Sequence, residues 1–135
     1  MDTHIINIAG TICPPKIDPQ FQKWYDEWHI PQNMKFKGLQ GVTRYKFAAL
    51  GGDATIKEYP GYLAIYRFKD FEAFKAWNAS PELQVARQHY EELKAGGVEL
   101  WWRVQYQSIK SWKDTSPMSL INVVGLQCGP EGEAA

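Results

Sequence analysis

A chain of 135 residues with 44% apolar content is long enough for one domain with a real core, too short for two, and too apolar to be disordered. Fifteen Lys plus Arg balance fifteen Asp plus Glu, so no net positive field exists to gather nucleic acid or anionic lipid. No apolar run approaches the roughly 18 residues of a membrane helix, and the first residues lack the charged start and apolar run of a signal peptide; the expectation is a cytoplasmic protein with no nucleic-acid or membrane partner.

Cys13 and Cys128 are far apart and fit no zinc spacing, so they are expected to be free thiols in a reducing compartment. Six Trp, seven Tyr and six Phe stand out. Such side chains fill cores and interfaces, and they also line pockets for flat ligands.

Residues 4–12 form the first predicted strand, rich in isoleucine and stopped by Pro14-Pro15. Asp18 is a candidate N-cap for the helix that follows, with Pro19 at its first position. Phe21, Trp24, Tyr25 and Trp28 recur at i, i+3, i+4, i+7, one face of a helix. His29 falls on the edge of that aromatic stripe, one turn after Tyr25. Pro31 marks an end or a kink.

Residues 41–50 and 61–69 form the second and third strands. Gly51-Gly52-Asp53 opens the connection between them. Joined by a loop and no helix, they pair antiparallel. Asp70 caps the next helix, and Ser80-Pro81-Glu82 restarts it with a second cap. Leu83, Ala86, Tyr90 and Leu93 are the buried stripe, and Gly96-Gly97 ends it. In the fourth strand, residues 98–109, Val98, Leu100, Trp102, Val104 and Tyr106 alternate against Glu99, Trp101, Arg103 and Gln105. Residues 118–126 read as a fifth, shorter strand. Residues 1–126 are one domain and residues 127–135 a flexible tail.

The order β-α-β-β-α-β with an extra C-terminal strand is an α+β, ferredoxin-like antiparallel sheet with its helices on one face. The strands are apolar on both sides, so the open face needs cover, and a second copy of the same sheet supplies it as a homodimer. The added strand is expected at a sheet edge, the partner's edge included.

The run Trp28-His29-Ile30-Pro31, then Gly38 and Gly41-Val42-Thr43-Arg44-Tyr45, resembles the dimeric α+β barrel superfamily, in its EthD-like branch. The later segment 71–93, with Ser80-Pro81-Glu82 at its centre, resembles the same branch. The resemblance covers residues 5–109. It implies a pocket between the sheet and the helices of each subunit. Members of the superfamily include cofactor-free oxygenases of polyphenols, lactone isomerases, polyketide cyclases, haem proteins and auxiliary proteins, so the fold leaves the reaction open.

His29 is the catalytic candidate, because a histidine near its ordinary pKa gives or takes a proton at neutral pH. Tyr25 stands beside it to orient it or to bind a substrate oxygen. Burial lowers the pKa of such an imidazole, and pairing with Asp26 raises it. The alternative is a helix-end histidine that bonds the backbone. Trp28, Arg44, Tyr62, Tyr66 and Trp102 are candidate ligand contacts: aromatic walls, phenol groups, and a guanidinium for a carboxylate or enolate oxygen. Core packing and rim ion pairs are the competing roles for these five. His4 and His89 read as solvent-facing, and no metal-ligand spacing is present. The expectation is a small enzyme without a cofactor that moves a proton on an aromatic or polyketide-like compound by isomerisation, cyclisation, elimination or cofactor-free oxygenation. A binding or auxiliary protein without chemistry is the alternative.

Overall fold

The computed structural model describes residues 4–48, 59–113 and 120–128. Strand β1 is Ile5–Ile12, β2 Leu39–Lys46, β3 Tyr62–Phe68 and β4 Glu99–Gln107. They form one sheet in the order β2-β3-β1-β4, and every neighbouring pair is antiparallel. Helices α1 (Asp18–Trp24) and α2 (Ile30–Met34) follow β1, and α3 (Phe71–Asn78) and α4 (Pro81–Ala95) follow β3. This is the α+β, ferredoxin-like order read from the sequence.

Directly opposed residues of antiparallel strands share a face, so the register sorts the side chains. Ile5, Asn7, Ala9 and Thr11 of β1 oppose Phe68, Tyr66, Ala64 and Tyr62 of β3. These face the helices, where Phe21, Tyr25, Phe74, Trp77, Leu83 and Ala86 close the core. Ile6, Ile8 and Gly10 lie on the other face, beside Arg67, Ile65 and Leu63. A Cβ at Gly10 would meet Pro60 at 2.5 Å and the Cβ of Trp102 at 3.0 Å, so only glycine admits that approach.

The caps at α3 and α4 match the sequence. Asp70 accepts from the Ala73 amide at 2.8 Å and the Ser80 hydroxyl from the Leu83 amide at 3.2 Å. Gly97, at φ +108°, turns the chain out of α4, and the Val98 amide reaches back to the Leu93 carbonyl. Asp18 departs from expectation. A 3₁₀ turn over Pro15–Ile17 runs straight into α1, so Asp18 already has helical angles and caps nothing. Its carboxylate accepts from the Tyr62 hydroxyl at 2.8 Å and from Gln22 at 3.3 Å.

Pro31 neither ends nor breaks the helix. Between α1 and α2, Tyr25–His29 forms a π turn in which the Ile30 amide bonds the Tyr25 carbonyl, i to i+5. A proline ring crowds the carbonyl four residues back, and the wider turn just before it makes room. The π turn also rotates the buried line. Phe21, Tyr25, His29 and Asn33 are all at most 9% exposed, while Trp24 and Trp28 are half-buried beside them. His29 is therefore a centre-line residue and not a margin residue.

Two further expectations are corrected. Strand β4 does not alternate throughout, because Thr11 opposes Leu100 and Gly10 opposes Trp102, leaving Trp101 as a bulge. Leu100 thus faces the helices, whereas Trp102, Val104 and Tyr106 face the open side. The fifth strand is not formed among the described residues: residues 120–128 carry no strand and are largely exposed. A strand needs an edge to bond, and this segment pairs with neither edge of its own sheet, β2 or β4. Positions 118 and 119 and the tail from residue 129 lie outside the described residues. No helix among the described residues is long and apolar enough to cross a membrane.

Candidate active site

A cavity of about 110 Å³ lies between sheet and helices. Its floor is Asn7, Ala9, Thr11, Tyr66, Leu100 and Arg103 from the sheet, and its walls are Tyr25, His29, Trp77, Leu83, Arg87 and Tyr90. The volume is below the roughly 300 Å³ of an ordinary ligand pocket, so a single ring is the scale it accommodates.

The π turn places Tyr25 and His29 on this cavity. The Tyr25 and Tyr66 hydroxyls share a hydrogen bond of 2.8 Å. Burial pushes Tyr25 up to about 12 and Tyr66 well above its ordinary value, so both phenols stay protonated at neutral pH. The His29 ring stacks on Trp24 at 4.5 Å and meets the edge of Tyr25 at 4.7 Å. Burial, reinforced by the positive charge of Arg44, lowers His29 to about 4. Asp26 does not oppose this, because its carboxylate takes a 2.7 Å bond from Arg44 instead. Of the two opposing influences foreseen for the imidazole, burial wins.

A buried relay fixes which nitrogen of His29 holds the proton. The Trp77 indole N–H, which can only donate, donates to Asn33 Oδ1 at 3.2 Å. Asn33 Nδ2 therefore faces the other way, donating to the His29 carbonyl at 3.1 Å and meeting Nε2 at 3.3 Å. Nε2 must accept, so the neutral ring carries its hydrogen on Nδ1. That Nδ1 is buried and finds no partner among the described residues, and the same holds for the Tyr90 hydroxyl. Both orphans belong to side chains that line the cavity. Burial, ahead of the charges of Tyr25, Glu91 and Glu99, pushes Tyr90 up to about 12, so it remains a donor.

The seven residues singled out from the sequence separate. Tyr25, His29 and Tyr66 meet on the cavity. Arg44 lies over the Tyr25 ring at 4.3 Å, and Tyr62 is tied to Asp18, both on the same face but outside the lining. Trp28 is at the margin, 5.9 Å from Trp24 and 4.0 Å from His89, so His89 is not simply solvent-facing. Trp102 is on the opposite face of the sheet. Asn33, Trp77, Tyr90, Arg87 and Arg103 were not foreseen as site residues. Asn33 stands four residues after His29, a helical spacing visible in the sequence; the position of Trp77 depends on tertiary packing alone.

No protein-family model and no curated protein matches the chain. Solved structures do. An ethyl tert-butyl ether D (EthD) family protein from Bacillus halodurans is 13% identical, with 82% of this chain and 100% of that one covered at a TM-score of 0.55. A candidate antibiotic biosynthesis monooxygenase from Bordetella bronchiseptica is 16% identical over 83% and 100% of the two chains, TM-score 0.56. A dimeric ferredoxin-like protein of unknown function from Jannaschia is 13% identical over 76% and 97%, TM-score 0.54. The chain has the fold of the dimeric α+β barrels. Within the dimeric α+β barrel fold, the cavity of this chain occupies the space that the sequence resemblance assigned to a pocket. Among the described residues no group of three His, Cys, Asp or Glu side chains stands close enough to hold a metal.

Proposed function

We propose that this chain is a small enzyme that works without a resident cofactor on an oxygen-bearing ring compound, by proton transfer. One observation carries the reading. Two buried polar groups without partners among the described residues, His29 Nδ1 and the Tyr90 hydroxyl, belong to side chains that line a ring-sized cavity. A buried unpaired donor costs about 1–3 kcal/mol, and a ligand oxygen at this place recovers it. His29 donates from Nδ1 to that oxygen. A neutral imidazole in this role polarises a carbonyl or steadies a phenolate. The nearby Arg44 charge, which disfavours protonation of His29, favours the same ligand anion. The proton that the ligand gives up leaves to water at the cavity mouth. The likeness to a candidate monooxygenase agrees with this class of chemistry, in which deprotonation prepares a substrate for oxygen.

A thermal-shift screen of phenols, quinones and lactones, followed by turnover of the best binder, tests the reading. His29→Ala is expected to leave the chain folded and to reduce turnover about 10²–10³-fold, the scale of losing one donor to a developing oxyanion, with His89→Ala unchanged. Equal binding and equal turnover in His29→Ala would make the histidine structural. Binding without turnover in the wild type would leave a carrier protein.

The same chain is proposed to act as a homodimer through the open face. Val104 and Tyr106 are 37% and 59% exposed there, and residues 120–128 extend apolar groups such as Val124 and Leu126 without cover. A second copy is proposed to offer this segment a strand edge to pair with. The contact is expected to exceed about 1,000 Å². Light scattering of a stable monomer at micromolar concentration would refute it, and truncation after Ser116 is expected to weaken association.

A further inference from the structure

Two guanidiniums converge at the cavity on a single neutral oxygen. Arg87 Nη2 of α4 donates to Asn78 Oδ1 at 3.0 Å, and Arg103 Nη2 of β4 donates to the same atom at 2.6 Å. Both arginines line the cavity. Neither has a carboxylate within ion-pair distance among the described residues, where the ion pairs are Arg44–Asp26, Lys75–Glu72 and Lys94–Glu91. Two positive groups held within two hydrogen-bond lengths of each other repel. One amide dipole offsets that poorly. Burial, and then the charge of Arg87, lowers the pKa of Arg103.

We propose that Arg87 and Arg103 form a carboxylate clamp at the mouth of the cavity, so that the ligand is a ring compound bearing an acid group. Asn78 stands where a carboxylate oxygen of the ligand would lie. It is exposed, at the last position of α3, and free to swing away. A planar carboxylate offers two oxygens to two guanidiniums. A carboxylate there adds the attraction of opposite charges, which the neutral amide oxygen lacks. With the acid at the clamp, the ring occupies the cavity that Tyr25, Tyr66 and Leu83 line. The clamp deepens the proposed function by naming the substrate class and rests on that reading for the ring alone.

Titration calorimetry with 4-hydroxybenzoate and 4-hydroxybenzamide, a matched acid and amide, tests it. The wild type is expected to bind the acid roughly tenfold or more tightly than the amide, with a preference that falls as salt rises. Arg87→Gln and Arg103→Gln each remove most of that preference and leave amide binding in place. Asn78→Asp supplies the carboxylate from the chain itself, so it raises the melting temperature and abolishes the preference. This variant keeps the test decisive if an arginine variant does not fold. Equal affinity for acid and amide overturns the clamp, as does a preference that survives both arginine variants, or binding of neither compound at millimolar concentration. An acid preference that depends on the arginines without any turnover retains the clamp and removes the enzyme reading. Turnover of neutral phenols without acid preference does the reverse.

Discussion

Along β1, alternate residues meet different surroundings. Asn7 and Thr11, 2% and 3% exposed, carry buried polar groups under the helices. On the other side Ile6, Ile8 and Gly10 carry none, and their neighbours on β4 are Tyr106, Val104 and Trp102. Buried polar groups are costly unless bonded, so their confinement to one face is informative. On that face Tyr25, Tyr66, His29, Asn33 and Trp77 are linked in hydrogen-bonded pairs and relays beside the cavity. The open face has apolar groups left partly in water. On the proposed reading one sheet serves chemistry on its covered side and assembly on its bare side, and each side is tested by a different substitution.

The largest expected effect is on the bare side. Val104→Asp places a carboxylate where the proposed second copy would bury it. An unpaired buried charge costs about 3–5 kcal/mol. The dimer is expected to dissociate at micromolar concentration while circular dichroism of the chain is retained. A variant that still elutes and scatters as a dimer would move the interface elsewhere.

On the covered side the relay is the sensitive point. Asn33 is 0% exposed and makes three hydrogen bonds. Asn33→Ala leaves the Trp77 N–H and His29 Nε2 unpaired, at about 1–3 kcal/mol each before relaxation. Asn33→Asp is the informative partner, because a carboxylate beside Nε2 draws a proton onto it. His29 is then expected to titrate above its ordinary 6.5 and no longer near 4. An imidazole NMR titration unmoved by Asn33→Asp would remove the relay from the site.

The same imidazole sets a pH dependence. In the unfolded chain it titrates near 6.5 and in the fold near 4. Between these values the unfolded chain binds more protons, so stability rises with pH across the window. The contribution is complete above 6.5 and is lost as pH falls toward 4. About 3 kcal/mol is the scale of the change. Urea titrations of wild type and His29→Gln at pH 4, 5, 6 and 7 should diverge in slope over that window. Parallel curves would mean that His29 is hydrated in solution.

Much of this division was legible in the sequence, for reasons that differ by residue. The strand order followed from alternation and turn residues, and the caps at Asp70 and Ser80 from local chemistry that tertiary packing does not override. His29, Tyr25 and Tyr66, which meet on the cavity, stood out because titratable groups lay among aromatic residues. Three things were hidden. The π turn changes the helical period inside Tyr25–His29, which a constant 100° step cannot register. The bulge at Trp101 moves Trp102 to the other face, and nothing local to residues 98–109 announces it. Asn33, Arg87 and Arg103 acquire their roles from partners 44, 9 and 25 positions away, and such pairings are set by the packed fold.

The smallest expected effect sits between the two sides, at the rim. Arg44 and Asp26 meet at 2.7 Å with side chains 17% and 61% exposed. Water screens the carboxylate, so a double-mutant cycle of Arg44→Gln and Asp26→Asn is expected to give only about 0.2–1 kcal/mol of coupling. The electrostatic consequence inside the fold is more telling than the stability. Arg44 lies over the Tyr25 ring and contributes to the lowered pKa of His29. Removing Asp26 leaves that positive charge uncompensated, so Asp26→Asn should push His29 further down. Arg44→Gln should let it rise toward 6.5, stopping short because burial, the larger cause, remains. Opposite shifts in the two variants, read from the His29 ring by NMR, would tie the rim charge to the buried imidazole. A His29 titration identical in both would confine the pair to the surface and leave burial as the whole cause.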